Sequence, residues 1–297
     1  MADRTLNDTT DKVRAITRSL KATDKKAPAD LLDFATALFA RGAREDLDRL
    51  MPAELASCAA SAFEFLQTRK FGEPKIRLTN PDFASLGEHP VTVIDIVNDN
   101  MPFLLDSVID LMQDHGFDVR LVVHPIVMAT RDAKGKLLHY GDNTDAARES
   151  IIHIHIDRLE AKEDRAELEA EIRAVLKQVR VAVLDWRDMQ KRLSAAITSF
   201  KTTPPPIPVD QIAEAIQFLE WLLDDNFTLL GMREYTYTED EDAAEMEKLD
   251  ATALGILRDP NVKVLRRGSE MVTITPEIRE FLRQSNPLIV TKANVRS

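Results

Sequence analysis

The stretch Val91-Thr92-Val93-Ile94-Asp95-Ile96-Val97-Asn98-Asp99-Asn100-Met101-Pro102-Phe103-Leu104-Leu105-Asp106 decides the fold. Val91, Thr92, Val93, Ile94, Ile96 and Val97 are β-branched, which is the composition of a strand. Asn98-Asp99-Asn100 reads as a turn, and Pro102 as the opening of a helix. Leu105, Val108, Ile109 and Met112 fall on one face of that helix, and Gly116 stands where a left-handed residue ends it. Arg120–Met128 is a second strand and Ile151–Ile156 a third. Between them, Lys134-Gly135-Lys136 and Gly141-Asp142-Asn143 are turn signals, with short pairing at Leu137–Tyr140. Upstream, Lys75–Leu78 alternates as a short strand.

On the amino-terminal side, residues 1–70 read as helices. Val13, Ile16 and Leu20 recur at helical spacing, as do Leu31, Phe34, Ala35, Leu38 and Phe39. A helix from Pro52 to about Lys70 is stopped by Gly72 and Pro74. On the other side, Leu168, Ile172, Val175, Leu176 and Val179 form one stripe. An unbroken helix over Asp164–Phe200 would be ~55 Å long at 1.5 Å per residue, more than a small sheet can cover. Part of it is expected to break or to pack on a partner subunit.

Pro204-Pro205-Pro206-Ile207-Pro208 reads as a stiff linker. Beyond it, Asp210 is expected to cap a helix carrying Ile212, Ile216, Leu219 and Leu223. A strand over Phe227–Tyr237 follows, interrupted by Gly231, then an acidic loop at Glu239–Asp242 and a helix over Ala243–Leu257. Strands at Val262–Leu265 and Met271–Ile274, a helix at Pro276–Gln284 and a strand at Leu288–Thr291 complete the reading. The fold class is α+β. The organisation is a helical region at 1–74, a sheet domain at 75–203, a linker at 204–208 and a second α/β module at 209–297. Because the chain stops just after a core strand, that module reads as truncated.

The chain has 297 residues and a net charge of −11. Such a surface repels phosphate backbones and anionic headgroups, so neither nucleic acid nor membrane is an expected partner. No apolar run reaches the ~18 residues of a membrane span, and the start lacks the apolar stretch of a signal peptide. The expected location is the cytoplasm. The single cysteine, Cys58, lies in an Ala/Ser-rich helical stretch and reads as a small core filler.

The nine glycines include no G-x-G pair and no phosphate-binding loop. No cofactor and no catalytic residue is therefore expected in this chain. His153, His155 and Asp157 share one face of a strand, with Ile152, Ile154 and Ile156 on the other. A metal would need a third ligand such as His124. The reading favoured is the polar, solvent-facing or interface side of an amphipathic strand, with no metal.

The stretch at 91–106, with His115-Gly116-Phe117-Asp118-Val119 after it, resembles the first strand, loop, helix and second-strand corner of ACT-type regulatory domains. The resemblance implies a βαββαβ sandwich that binds amino acids at the first strand–helix loop and pairs across subunits. It places an amino-acid effector at Asn98, Asp99, Asn100, Met101 and Pro102. Asn98 and Asn100 would hold its carboxylate and Asp99 its ammonium, beside a helix N-terminus. Many ligand-binding ACT domains have Gly after the loop proline; here Phe103 stands there. Its ring is expected either to fill the ligand's space or to anchor the helix on the sheet.

A narrower resemblance is to the large NAD-specific glutamate dehydrogenases. It is carried by Asn98–Ser107 (NDNMPFLLDS), Trp221–Tyr235 (WLLDDNFTLLGMREY) and Pro287–Ser297 (PLIVTKANVRS). Glu45-Asp46-Leu47 and the helix from Pro52 are also similar to that family's opening. The resemblance implies an amino-terminal segment with ACT-like and PAS-like modules, used for regulation and for contacts between identical subunits through the ACT-like and long-helix surfaces. In that family NAD and the catalytic residues belong to a domain far downstream. A free-standing ACT-type amino-acid sensor is the alternative.

Overall fold

The structure is a computed structural model that describes residues 2–204, 206, 208–239, 244–260, 262 and 271–273. The chain divides into two compact units, Met1–Leu176 and Lys177–Ser297.

The first unit begins with helices α1 (Ala2–Thr23), α2 (Ala29–Phe39), α3 (Arg44–Leu47) and α4 (Pro52–Leu66). Pro52 occupies the first turn of α4, and Glu54 reaches back to accept the Met51 N–H at 2.8 Å, satisfying a donor that the helix leaves orphaned. Helix α4 ends at Leu66, four residues short of the expected Lys70.

The sheet that follows has β1 (Lys75–Thr79), β2 (Val91–Asp99), β3 (Val119–Val123), β4 (Ile126–Arg131), β5 (Leu137–Tyr140) and β6 (Ala147–Asp157). Its order is β1-β2-β6-β4-β5, with β3 paired to β6 ahead of β4, and every pairing is antiparallel. Helix α5 (Leu104–Asp114) connects β2 to β3, and α6 (Lys162–Thr202) follows β6.

Three local expectations are corrected. Strand β2 runs through Asn98 and Asp99, which were expected in a turn; their pairing with Ser150 and Glu149 on β6 extends it. The single strand expected over Arg120–Met128 is two, divided at His124-Pro125, because Pro125 has no N–H for a ladder. Pro102 lies in a turn, and α5 starts two residues later after Phe103 in the left-handed region (φ 67°).

Against the expected βαββαβ order, the elements of this unit run β1-β2-α5-β3-β4-β5-β6-α6. The edge beside β2, where a closing strand after α6 would pair, is held by β1, which precedes β2 in the chain. Among the described residues the chain after α6 builds a separate sheet.

The register sorts the sheet's two faces. Val93, Asp95, Val97, Ile151, His153, His155, Leu121, Val123 and Val127 share one face. Val97, Ile151, Leu121, Val123 and Val127 belong to the same buried core as Ile16 of α1, Phe34, Leu38 and Phe39 of α2, and Leu55, Ala59 and Leu66 of α4. The helical region and the sheet are thus one packed body, and no packing boundary separates residues 1–74 from the strands. The opposite face carries Ile94, Ile96, Ile152, Ile154 and Ile156, all fully buried. This leaves α5 and the start of α6 to cover it, through Leu104, Val108, Leu111 and Met112 on α5 and Leu168, Ile172 and Leu176 on α6. Leu104 and Leu111 thus take the places expected for Leu105 and Ile109, which are only partly buried.

Helix α6 is one continuous helix of 41 residues and has no break; its residues to Leu176 belong to the first unit and the rest to the second. In the second unit Leu193 and Ile197 of α6 pack with Leu219 of α7 (Val209–Trp221). Pro208 precedes α7 and Asp210 lies inside its first turn rather than capping it. A three-stranded antiparallel sheet of β7 (Gly231–Glu239), β8 (Ala244–Gly255) and β9 (Met271–Thr273) follows.

The helix expected at Ala243–Leu257 is therefore strand β8. Its Ala, Glu, Met, Lys and Leu favour a helix, but pairing with β7 from Glu239↔Ala244 to Gly231↔Gly255 overrides that preference. The strand expected from Phe227 begins only at Gly231, where an added Cβ would lie 2.9 Å from Leu257 and 3.1 Å from the Leu254 carbonyl. Asp185 of α6 accepts the Gly255 N–H at 2.7 Å and pairs with Arg258. The proline run at 204–208 and the acidic loop at 239–242 are described only in part. The expected strand at 262–265, apart from Val262, and the elements at 276–284 and 288–291 lie outside the described residues.

Candidate functional site

The loop singled out in the sequence does not gather its five residues into one constellation. Asn98 and Asp99 are successive residues of β2 and so face opposite sides of the sheet. Asn98 is buried. The Asp99 carboxylate accepts Arg69 Nη2 at 2.7 Å and the Gly72 N–H at 3.2 Å. Asn100 donates its backbone N–H to the Arg148 carbonyl at 3.1 Å. Met101 is half-buried and Pro102 exposed. Phe103 neither fills a pocket nor anchors the helix: it is 47% exposed, and its left-handed backbone costs roughly 1–3 kcal/mol.

Asp99 belongs instead to a buried ionic network on the helix-covered face. Glu149 of β6 is held at Oε1 by Arg69 Nη2 (2.7 Å) and Arg131 Nε (2.7 Å), and at Oε2 by Arg131 Nη2 (2.8 Å). Arg131 also donates to the carbonyls of Gly135 (3.0 Å) and Leu66 (2.9 Å). Two guanidiniums thus meet two carboxylates, and carbonyl acceptors take the spare N–H groups. The network fastens the segment after α4 to the β4–β5 turn, where the Arg69 N–H donates to Gly135 O at 2.8 Å. Gly135 is obligatory there: its φ is +83°, and a Cβ would lie 2.2 Å from the Arg69 carbonyl oxygen.

A second cluster lies on the same face. His153 Nδ1 is 2.7 Å from Asp95 Oδ1, and Arg77 Nη2 donates to Asp95 Oδ2 at 2.6 Å. His153 Nε2 lies 2.9 Å from His155 Nε2. Cys58 of α4 closes the group: its Sγ and one nitrogen of each histidine all lie within 4.8 Å of one another. Phe39 meets His153 edge-on and Phe83 stacks on His155. All three ligand-type residues are buried.

The expected solvent-facing or interface side of β6 is therefore an interior face, covered by α2, α4 and Phe83. The third ligand imagined from sequence, His124, is elsewhere, with Nε2 2.7 Å from Ser150 Oγ on the opposite face.

Electrostatics follow from burial. Burial pushes the Asp95 carboxyl up, but the His153 hydrogen bond and the Arg77 charge outweigh it and hold it below the usual carboxylate range. Burial, with the neighbouring His153, holds His155 well below the ordinary histidine value despite Asp95. Burial, with Asp95 and Glu54, raises the Cys58 thiol. The cluster is thus a neutral imidazole and a neutral thiol beside an ion-paired aspartate. Sequence reading missed both the Cys58 partnership and the Arg69–Glu149–Arg131 network, whose members lie far apart along the chain.

Comparison with known proteins fits this architecture. Residues 34–172 match the family model described as glutamate dehydrogenase, ACT1 domain. That span takes in the second half of α2, α3, α4, the whole first sheet, α5 and the start of α6. The chain is 36% identical over 242 residues to an NAD-specific glutamate dehydrogenase of Halomonas elongata, covering 79% of this chain and 15% of that protein. It is 28% identical over 240 residues to an NAD-specific glutamate dehydrogenase of Pseudomonas aeruginosa, with the same two coverages. The chain thus spans about 15% of the length of the curated relatives it matches. No helix among the described residues is long and apolar enough to cross a membrane. Residues 34–172 thus match the ACT1 domain of glutamate dehydrogenases, and the chain is similar to one part of the NAD-specific glutamate dehydrogenases.

Proposed function

We propose that this chain is a non-catalytic regulatory and assembly segment of an NAD-dependent glutamate dehydrogenase that works in the cytoplasm. The whole enzyme converts L-glutamate, NAD and water to 2-oxoglutarate, ammonium and NADH, and NAD binds outside this segment. The observation that carries the reading is the ACT1 match over the first sheet and its helices, in a sequence with no glycine-rich dinucleotide loop. Assembly with identical subunits is supported by exposed Leu184 and Trp186 on α6 and by exposed Phe103 beside α5, large apolar groups of the kind that interfaces bury. The test is light-scattering mass together with a dehydrogenase assay of this chain. A defined oligomer with no turnover supports the reading; a monomer at all concentrations, or turnover of glutamate, contradicts it.

An amino-acid effector at Asn98–Pro102 is the regulatory element of the same proposal. It draws support from the free N–H groups at the start of α5, which has no side-chain cap, and from the exposed, strained Phe103 beside them. Because Asp99 is ion-paired with Arg69, the ligand's ammonium needs another acceptor, supplied across a subunit contact. A thermal-shift screen of amino acids tests it: a shift in the unaltered chain that is lost in Asn100→Ala supports the site, and equal shifts in both place the ligand elsewhere.

A further inference from the structure

We propose that Cys58, His153 and His155 form a zinc-binding site that staples α4 to strand β6. The three donors, one thiol and two imidazoles, are the residue types that zinc selects. They come from elements 95 residues apart in sequence, yet their ligand atoms lie within 4.8 Å of one another in the interior. The histidines sit at i and i+2 of one strand, so their rings leave the same face.

The surroundings orient these atoms. His153 turns Nδ1 to Asp95 at 2.7 Å, and Arg77 fixes the other carboxylate oxygen at 2.6 Å. A histidine whose Nδ1–H is given to a carboxylate presents the Nε2 lone pair, which is the arrangement behind most zinc-bound histidines. In that tautomer the lone pair faces His155 Nε2, 2.9 Å away. Tetrahedral zinc needs about 3.4 Å between two nitrogen ligands and about 3.6 Å between nitrogen and sulfur, given bonds of ~2.05 and ~2.3 Å. The imidazoles must spread by about 0.5 Å and the thiol close by about 1 Å, which side-chain rotation provides.

The binding step balances. Zinc enters as a dication, Cys58 releases its S–H proton to solvent, and His155 moves its Nε2 proton to Nδ1, so one proton leaves for each zinc bound. The thiolate offsets one of the ion's two charges, Asp95 being already paired with Arg77, and a water fills the fourth position. Without an ion, the same atoms make a single imidazole–imidazole hydrogen bond and the thiol has no use beyond filling space.

Because Cys58 is the chain's sole cysteine, any thiolate–metal absorption reports this site. The chain, prepared without a histidine tag, is titrated with zinc against a chromophoric chelator and separately with cobalt. The expected result is about one zinc per chain, a thiolate-to-cobalt charge-transfer band, and a higher melting temperature with zinc. Cys58→Ala should abolish the band, and His155→Gln should weaken zinc at least about 10-fold, as loss of even a supporting partner does. Absence of the band in the unaltered, folded chain, or equal zinc affinity in the unaltered chain and both variants, overturns the proposal.

Discussion

Two buried polar clusters lie on one face of one sheet, under the same helices, and they are built on opposite principles. Around Glu149 the charges are complete: two arginines and two carboxylates neutralise one another and bond neighbouring carbonyls. Around His153 only Asp95 and Arg77 are ion-paired, while His155 and Cys58 stay neutral with coordinating atoms to spare. A closed ionic network fixes a geometry and has nothing left to offer a ligand. A cluster with idle lone pairs in an apolar setting costs the fold little when neutral, and it has capacity for a cation.

Breaking the closed network should have the larger effect. Glu149→Gln leaves Arg69 and Arg131 short of a carboxylate in the interior, and the first unit should lose about 3–5 kcal/mol in urea denaturation. A loss below about 1 kcal/mol would show that water reaches the network. Gly135→Ala strikes the same network through the backbone, because the new methyl meets the Arg69 carbonyl and φ is positive. A cost of roughly 2–3 kcal/mol is expected by the same assay.

The second cluster should show itself through pH. The unfolded value of His155 is about 6.5, and the folded value lies well below it. The folded state then binds fewer protons, so stability is fully present above about pH 6.5 and is lost as pH falls through the folded value. The slope approaches 1.4 kcal/mol per pH unit. Asp95, also lowered, adds a further loss only in the carboxylate range. His155→Gln should flatten the stability profile just below pH 6.5, and an unchanged profile would locate the titration at another group such as His124, which burial also lowers. Phe103, outside both clusters, is the reference: Phe103→Gly relieves its left-handed strain and should raise stability by about 0.5–1 kcal/mol in thermal melts.

Much of the first unit was legible because its periodicities are strong. The β-branched run at 91–97 and the stripes of α5 and α6 mark elements whose burial leaves little choice. The layer covering the histidines was harder to read. Alternating His and Ile on β6 suggests one wet face, but Val91, Val93 and Val97 on β2 share the register of His153 and His155. The apolar residues on both faces of β2, with Asp95 the polar exception at its centre, were the available signal that both faces are buried. Nothing local ties Cys58 to His153, since their meeting depends on α4 crossing the sheet. Strand β8 was misread because its residues favour a helix when taken alone, and only the partner strand decides otherwise.

Underlying both clusters is the proposal that this segment carries no dinucleotide chemistry. Titration calorimetry of NAD into the chain tests that most directly. No heat of binding at millimolar NAD is expected, and saturable binding at micromolar affinity would contradict it.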